Sequence, residues 1–126
     1  MSSLPSLEMN KALLETQERN GAFRVHVSGM INEQTPGEKL NPFFQELHRI
    51  IQDRGVDQVV LDLKDLAMVN SSGLVCFLGW AKQIQGLQEN RYRMKILHDP
   101  KIVWQRISLK CMQMMAPQVI EIAETE

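Results

Sequence analysis

In "AFRVHVSGMI" apolar and polar positions alternate. Phe23, Val25 and Val27 fall on one side, Arg24, His26 and Ser28 on the other. That period of two predicts a half-buried strand. A weaker alternation from Leu13 to Glu18, joined to it through Asn20-Gly21, predicts a hairpin. Within the polar stretch "NEQTPGEKLNP", Thr35, Pro36 and Glu38 fit a capping box for one short turn. Asn41-Pro42 fits a cap and first helical position better. Phe43, Phe44, Leu47, Ile50 and Ile51 then recur at helical spacing up to Gly55. The near-continuous run Val59, Val60, Leu61 and Leu63 suits a central strand covered on both faces.

A helix is expected from Ser71 or Ser72 to Gly86, with Leu74, Phe77, Leu78, Ala81 and Ile84 as its buried stripe. Residues 92–98 alternate as another strand. Asp99 and Pro100 then read as cap and first residue of a third helix, with Ile102, Val103, Ile107, Leu109 and Met112 as its apolar candidates. Residues 118–122 give a last strand. Strands alternating with helices argue for an α/β fold: a mixed, mostly parallel sheet with a leading antiparallel hairpin, packed by about three to four helices. Residues 1–10 read as a flexible tail and 11–126 as a single domain.

Composition narrows the function classes. Apolar residues make up 44% and charged residues 23% of the 126, ordinary globular usage for one core. The formal net charge is −1 and no basic cluster occurs, which argues against a nucleic-acid surface. No apolar run is long enough to cross a membrane, and the first residues lack a secretory leader pattern, so a cytoplasmic protein is expected. Cys76 and Cys111 have no metal-ligand spacing and read as buried free thiols. Met112, Met114 and Met115 read as core fillers. No metal or cofactor is expected.

The chemistry concentrates at Asn70-Ser71-Ser72-Gly73, where a strand hands over to a helix. A serine there can cap the helix. A catalytic serine needs a base and an oxyanion hole. Neither His26, His48 nor His98 marks a triad, and GxSxG is absent, so no enzyme is expected. A helix N-terminus also holds phosphate well, free or attached to a serine. Beyond the break, the side of the helix opposite its stripe carries Val75, Cys76, Gly79 and Gln83, either a docking face or a face covered by a neighbouring element. Trp80, at the stripe's margin, reads as core edge or as interface anchor.

The stretch "VVLDLKDLAMVNSSGLVCFLGWAKQI" resembles the signature of STAS domains, especially bacterial anti-sigma factor antagonists. Asp62-Leu63 matches the family's strand end, Met68-Val69 its apolar pair, and Asn70-Ser71-Ser72-Gly73-Leu74 its Asp-Ser-Ser-Gly motif, with Asn70 in place of the acid. "VSGMIN" resembles an earlier family segment, with Asn32 again replacing an acid, and "RYRMKILH" a later strand. The resemblance covers residues 13–122. It implies a STAS-like sheet and a partner switch. Ser71 would be phosphorylated by a serine kinase that is also the anti-sigma factor, and reset by a cognate phosphatase. Ser72 would cap or assist, and Gly73 would let the partner approach. Asn70, Ser72, Gly73, Val75, Cys76 and Gly79 are the expected partner-binding residues, with Asn32, Trp80 and Gln83 as further candidates. The alternatives are an unphosphorylated STAS subunit of a transporter or signalling assembly, and a domain binding a nucleotide or apolar small molecule.

Overall fold

The computed structural model describes residues 4–125. Its sheet comprises β1 (Leu7–Glu8), β2 (Ala12–Arg19), β3 (Ala22–Ile31), β4 (Gln58–Val69), β5 (Arg93–Leu97) and β6 (Ile120–Ala123). Its helices are α1 (Gly37–Arg54), α2 (Ser71–Gln85) and α3 (Val103–Met115). The strands lie side by side in chain order, the first three antiparallel and the rest parallel. The β2–β3 hairpin turns at Asn20 (φ 54°) and Gly21 (φ 79°), the left-handed pair that matches the strands' twist.

Each parallel connection steps the same way across the sheet. Right-handed crossovers therefore place α1, α2 and α3 on one face. Phe23, Val25, Val27, Leu61 and Ile96 point into the core beneath them, all fully buried. The other face carries no helix among the described residues, where both faces of β4 were expected to be covered. There Asp62 is buried by pairing with Arg24 at 2.6 Å rather than beneath a helix.

Several boundaries differ from the sequence reading. Part of the expected tail belongs to the fold: Leu7–Glu8 pair with β2 and Met9 is buried, while residues 1–3 lie outside the described residues. Helix α1 starts at Gly37, not Asn41, and contains Pro42. Burial of Leu40 in the same stripe as Phe44, Leu47 and Ile51 draws the first turn into the helix. Pro42 is tolerated on the exposed side, where a lost hydrogen bond faces water. Helix α3 starts at Val103, because Asp99 accepts from the Lys101 N–H in a local turn instead of capping a helix. Only Leu109 and Met112 of its expected stripe are buried; Val103, Ile107, Met114, Met115 and Cys111 are exposed. The last strand begins at Ile120, after a turn over Ala116–Val119.

Gln105 occupies α3's core position and is completely buried. Its Nε2 donates to the Leu63 and Leu66 carbonyls at 2.5 and 2.9 Å, and its Oε1 accepts from the Asp99 N–H. Leu63 lies within the irregularity at which β4 falls out of register with β3, between the Asp62 and Asp65 pairs, and Leu66 follows just beyond it. One buried amide thus ties α3 to the irregular part of β4.

A second buried polar group joins α1, α2 and the residue that leads into β5. Trp80 donates to the Tyr92 hydroxyl at 2.7 Å, and the same oxygen lies 2.5 Å from His48 Nδ1. The hydroxyl can accept from the indole N–H and donate to Nδ1 at once, an arrangement that suits a neutral His48. Burial lowers the His48 pKa. The unfolded chain therefore binds the proton more readily. His48's contribution is fully present above the ordinary histidine value and is lost as pH falls through the depressed one. Urea unfolding should show stability declining as pH falls below about 6.5, the ordinary histidine value, and His48→Asn should flatten that decline. An equal slope in wild type and variant would remove His48 as its source.

Candidate functional site

Strand β4 ends at Val69 and α2 begins at Ser71, so Asn70 alone forms the junction. All four of its polar groups are used. The backbone N–H donates to the Ile31 carbonyl (2.9 Å), and the backbone carbonyl accepts from the Leu74 N–H (3.0 Å). Oδ1 accepts from the Gly73 N–H (2.8 Å), and Nδ2 donates to the Glu33 carbonyl (2.7 Å). The helix cap is therefore Asn70, not Ser71 or Ser72. An amide wins here because it caps with one end and holds the β3–α1 loop with the other, which a hydroxyl at the next position cannot do.

Freed from capping, Ser71 and Ser72 are both exposed in the first turn, where backbone N–H groups lack intrahelical acceptors. No acidic residue occupies that turn. The end of β3 brings Asn32, also exposed, beside the junction through the Ile31–Val69 pairing. Next to it stands Glu33, which the sequence reading missed. Lys39 Nζ lies 2.8 Å from its Oε1, and the Asn10 N–H donates to its Oε2 at 2.8 Å. The Lys39 hydrogen bond, then the Asn10 one, hold the Glu33 carboxyl below its usual range. Nothing in "NEQTPGEK" singles out Glu33; its partners come from three separate segments.

Other expected site residues divide sharply. Val75 and Gly79 are exposed on the outer side of α2. Cys76 is buried, and Gln83 exchanges side-chain hydrogen bonds with Gln45 of α1, so α1 covers the face that carries them. Trp80, 2% exposed, stacks on Phe44 with ring centres 4.8 Å apart; it is core, not an interface anchor. Gly73 is buried too. A Cβ there would sit 2.6 Å from Val69 Cγ2 and 3.1 Å from Ile31 Cγ2, so its bare Cα lets α2 start against the chain's own strands. It does not open a path for a partner.

His26 pairs with Asp65 and His48 with Tyr92, so neither serves the serines. Among the described residues no group of three or more His, Cys, Asp or Glu side chains gathers as metal ligands, and no helix is long and apolar enough to cross a membrane.

No family model matches the chain, and no curated protein matches it. Solved structures do. The crystal structure of an anti-sigma factor antagonist from Mycobacterium paratuberculosis matches with TM-score 0.63 at 18% identity, over 94% of this chain and 92% of that one. This is the SpoIIAA-like, or STAS, fold. The NMR structure of the protein TM1081 matches with TM-score 0.59 at 16% identity, over 87% of this chain and 79% of that one. An uncharacterised protein with a SpoIIAA-like fold from Shewanella loihica matches with TM-score 0.54 at 12% identity, over 99% and 92%. The mixed sheet with its leading hairpin, expected from the order of elements, is thus the sheet of the STAS fold.

Two substitutions test the junction. Asn70→Asp keeps the acceptor for Gly73 but sets an oxygen against the Glu33 carbonyl. It should cost about 1 kcal/mol net of the helix-dipole gain, with faster amide exchange confined to residues 33–36; unchanged exchange there would dismiss the amide bridge. Gly73→Ala should lower stability by about 1–3 kcal/mol through overpacking, and adding Val69→Ala should recover part of it in chemical denaturation. No recovery would mean that Val69 is not the obstacle.

Proposed function

We propose that this chain is a non-enzymatic regulatory protein-binding module, an anti-sigma factor antagonist whose partner-binding end is the N-terminus of α2. The observation that carries the reading is the exposure of Ser71 in a first turn already capped by Asn70. Its hydroxyl has no structural duty there. In this proposal a serine kinase of the anti-sigma type binds the unmodified chain and phosphorylates Ser71. The added charge of about −1.5 to −2 weakens the complex, and a phosphatase restores it. Ser72, Val75, Gly79 and Asn32 form the surrounding contact surface. The setting is the cytoplasm, where such partners act.

One observation favours a second reading, a STAS subunit of a larger assembly that is never phosphorylated. The Asn70–Glu33 bond requires an amide where antagonists of the resembled family carry an acid.

Intact-mass measurement and peptide mapping of the chain from its native cells decide between them. Phosphate on Ser71 supports the switch; none across growth and stress conditions supports the assembly subunit. Ser71→Ala should change stability by no more than about 0.5 kcal/mol. Ser71→Glu should weaken capture of the kinase at least about tenfold. Equal capture by wild type and Ser71→Glu would refute the switch.

A further inference from the structure

Helices α2 and α3 do not close against each other along their outer edges. Between them lies an open groove of about 220 Å³, walled by Leu74, Val75 and Leu78 of α2 and by Ile107, Cys111 and Met115 of α3. Val75 is 65% exposed, Ile107 61% and Met115 50%. The sequence reading placed Ile107 and Met115 in the core, so this apolar surface is found only in the folded chain.

The charge carried by its two walls has one sign. Over their whole lengths α2 carries Lys82, and α3 carries Arg106 and Lys110, without a single Asp or Glu on either helix. The chain as a whole is slightly acidic, so its acids are all placed elsewhere. Ser71 precedes Leu74, Val75 and Leu78 by three, four and seven residues, so it stands at the head of the α2 wall. An apolar groove on helices bearing only cations complements one kind of segment: apolar along one face and acidic along the other.

We infer that the α2–α3 groove is the seat of an acidic amphipathic helix from the partner protein. The inference rests on the reading of the α2 N-terminus as the partner-binding end. It adds the chemistry of what binds and a reason for the serine's position. A negative charge on Ser71 enters the groove's field at its mouth and opposes an acidic occupant directly.

Cys111 provides the test, because it lines the groove and is exposed while Cys76 is buried. Three synthetic helical peptides, each carrying one cysteine as its mixed disulfide with 2-mercaptoethanol, compete for Cys111. The Cys111 thiolate attacks the peptide sulfur, 2-mercaptoethanol leaves as its thiol, free 2-mercaptoethanol keeps the exchange reversible, and adducts are counted by intact mass. The first has leucines on one face and glutamates on the other. The second replaces glutamate by lysine, and the third scatters the leucines of the first. The acidic amphipathic peptide should exceed both others about tenfold. Val75→Asp with Ile107→Asp, both at exposed positions, should abolish that excess, and Ser71→Glu should reduce it. Equal adducts with the acidic and basic peptides, or with the ordered and scattered ones, would overturn the groove assignment. The Ser71 switch would then still stand on its own phosphate mapping. An excess untouched by Ser71→Glu would overturn the link between groove and switch. Co-sedimentation with phosphatidylserine vesicles, without any peptide preference, would replace the protein partner by a membrane surface and overturn the proposal.

Discussion

The hydrogen bonding of Asn70 is the constraint on which the candidate site depends. One residue closes the β3–β4 ladder, opens α2, caps its third N–H and holds the neighbouring loop. With no linker between strand and helix, the serines are fixed in direction by the sheet itself. Gly73 belongs to the same arrangement, since α2 can begin this close to Ile31 and Val69 only where no Cβ intervenes. A buried or half-buried polar group left without its partner costs about 1–3 kcal/mol, so each bond at this junction supports the others.

The far half of β4, which delivers Asn70 to its place, is itself anchored from α3. Gln105 donates to the Leu63 and Leu66 carbonyls at and beside the bulge, and Trp104 donates to the Ala67 carbonyl at 2.8 Å. The bulge turns the strand after Asp62, and α3 holds the turned segment. A helix whose outer side is open to a partner is therefore tied by its inner side to the strand that carries the serine motif.

Much of the sheet was legible because period-two alternation and the Asn-Gly turn are local signals. The hairpin, the central apolar strand and the existence of three helices all follow from neighbours in the chain. Helix starts and helix faces were less legible. Leu40 extends α1 because of what it touches in the core, and Phe44 stacking on Trp80 turns α2 so that Gly73, Cys76 and Trp80 point inward while Leu74 and Leu78 are half exposed. The serine motif was visible, but not which of three adjacent polar residues caps the helix. A carbonyl 37 positions away decides that. Glu33 and Gln105 were invisible for the same reason: both act through partners distant in sequence.

The order of the strands in space repeats their order in the chain. Every strand after the first is laid beside one already made, and no later segment has to slip between two earlier ones. Such a sheet can grow from its hairpin outward as the polypeptide leaves the ribosome, one crossover at a time, with the serine-bearing junction completed before β5 exists. Its pairings are as short-range as a mixed sheet allows, a topology associated with faster folding. The last unit added, α3 with β6, carries the outer wall of the groove, so that binding surface is assembled only when synthesis of the domain is nearly done.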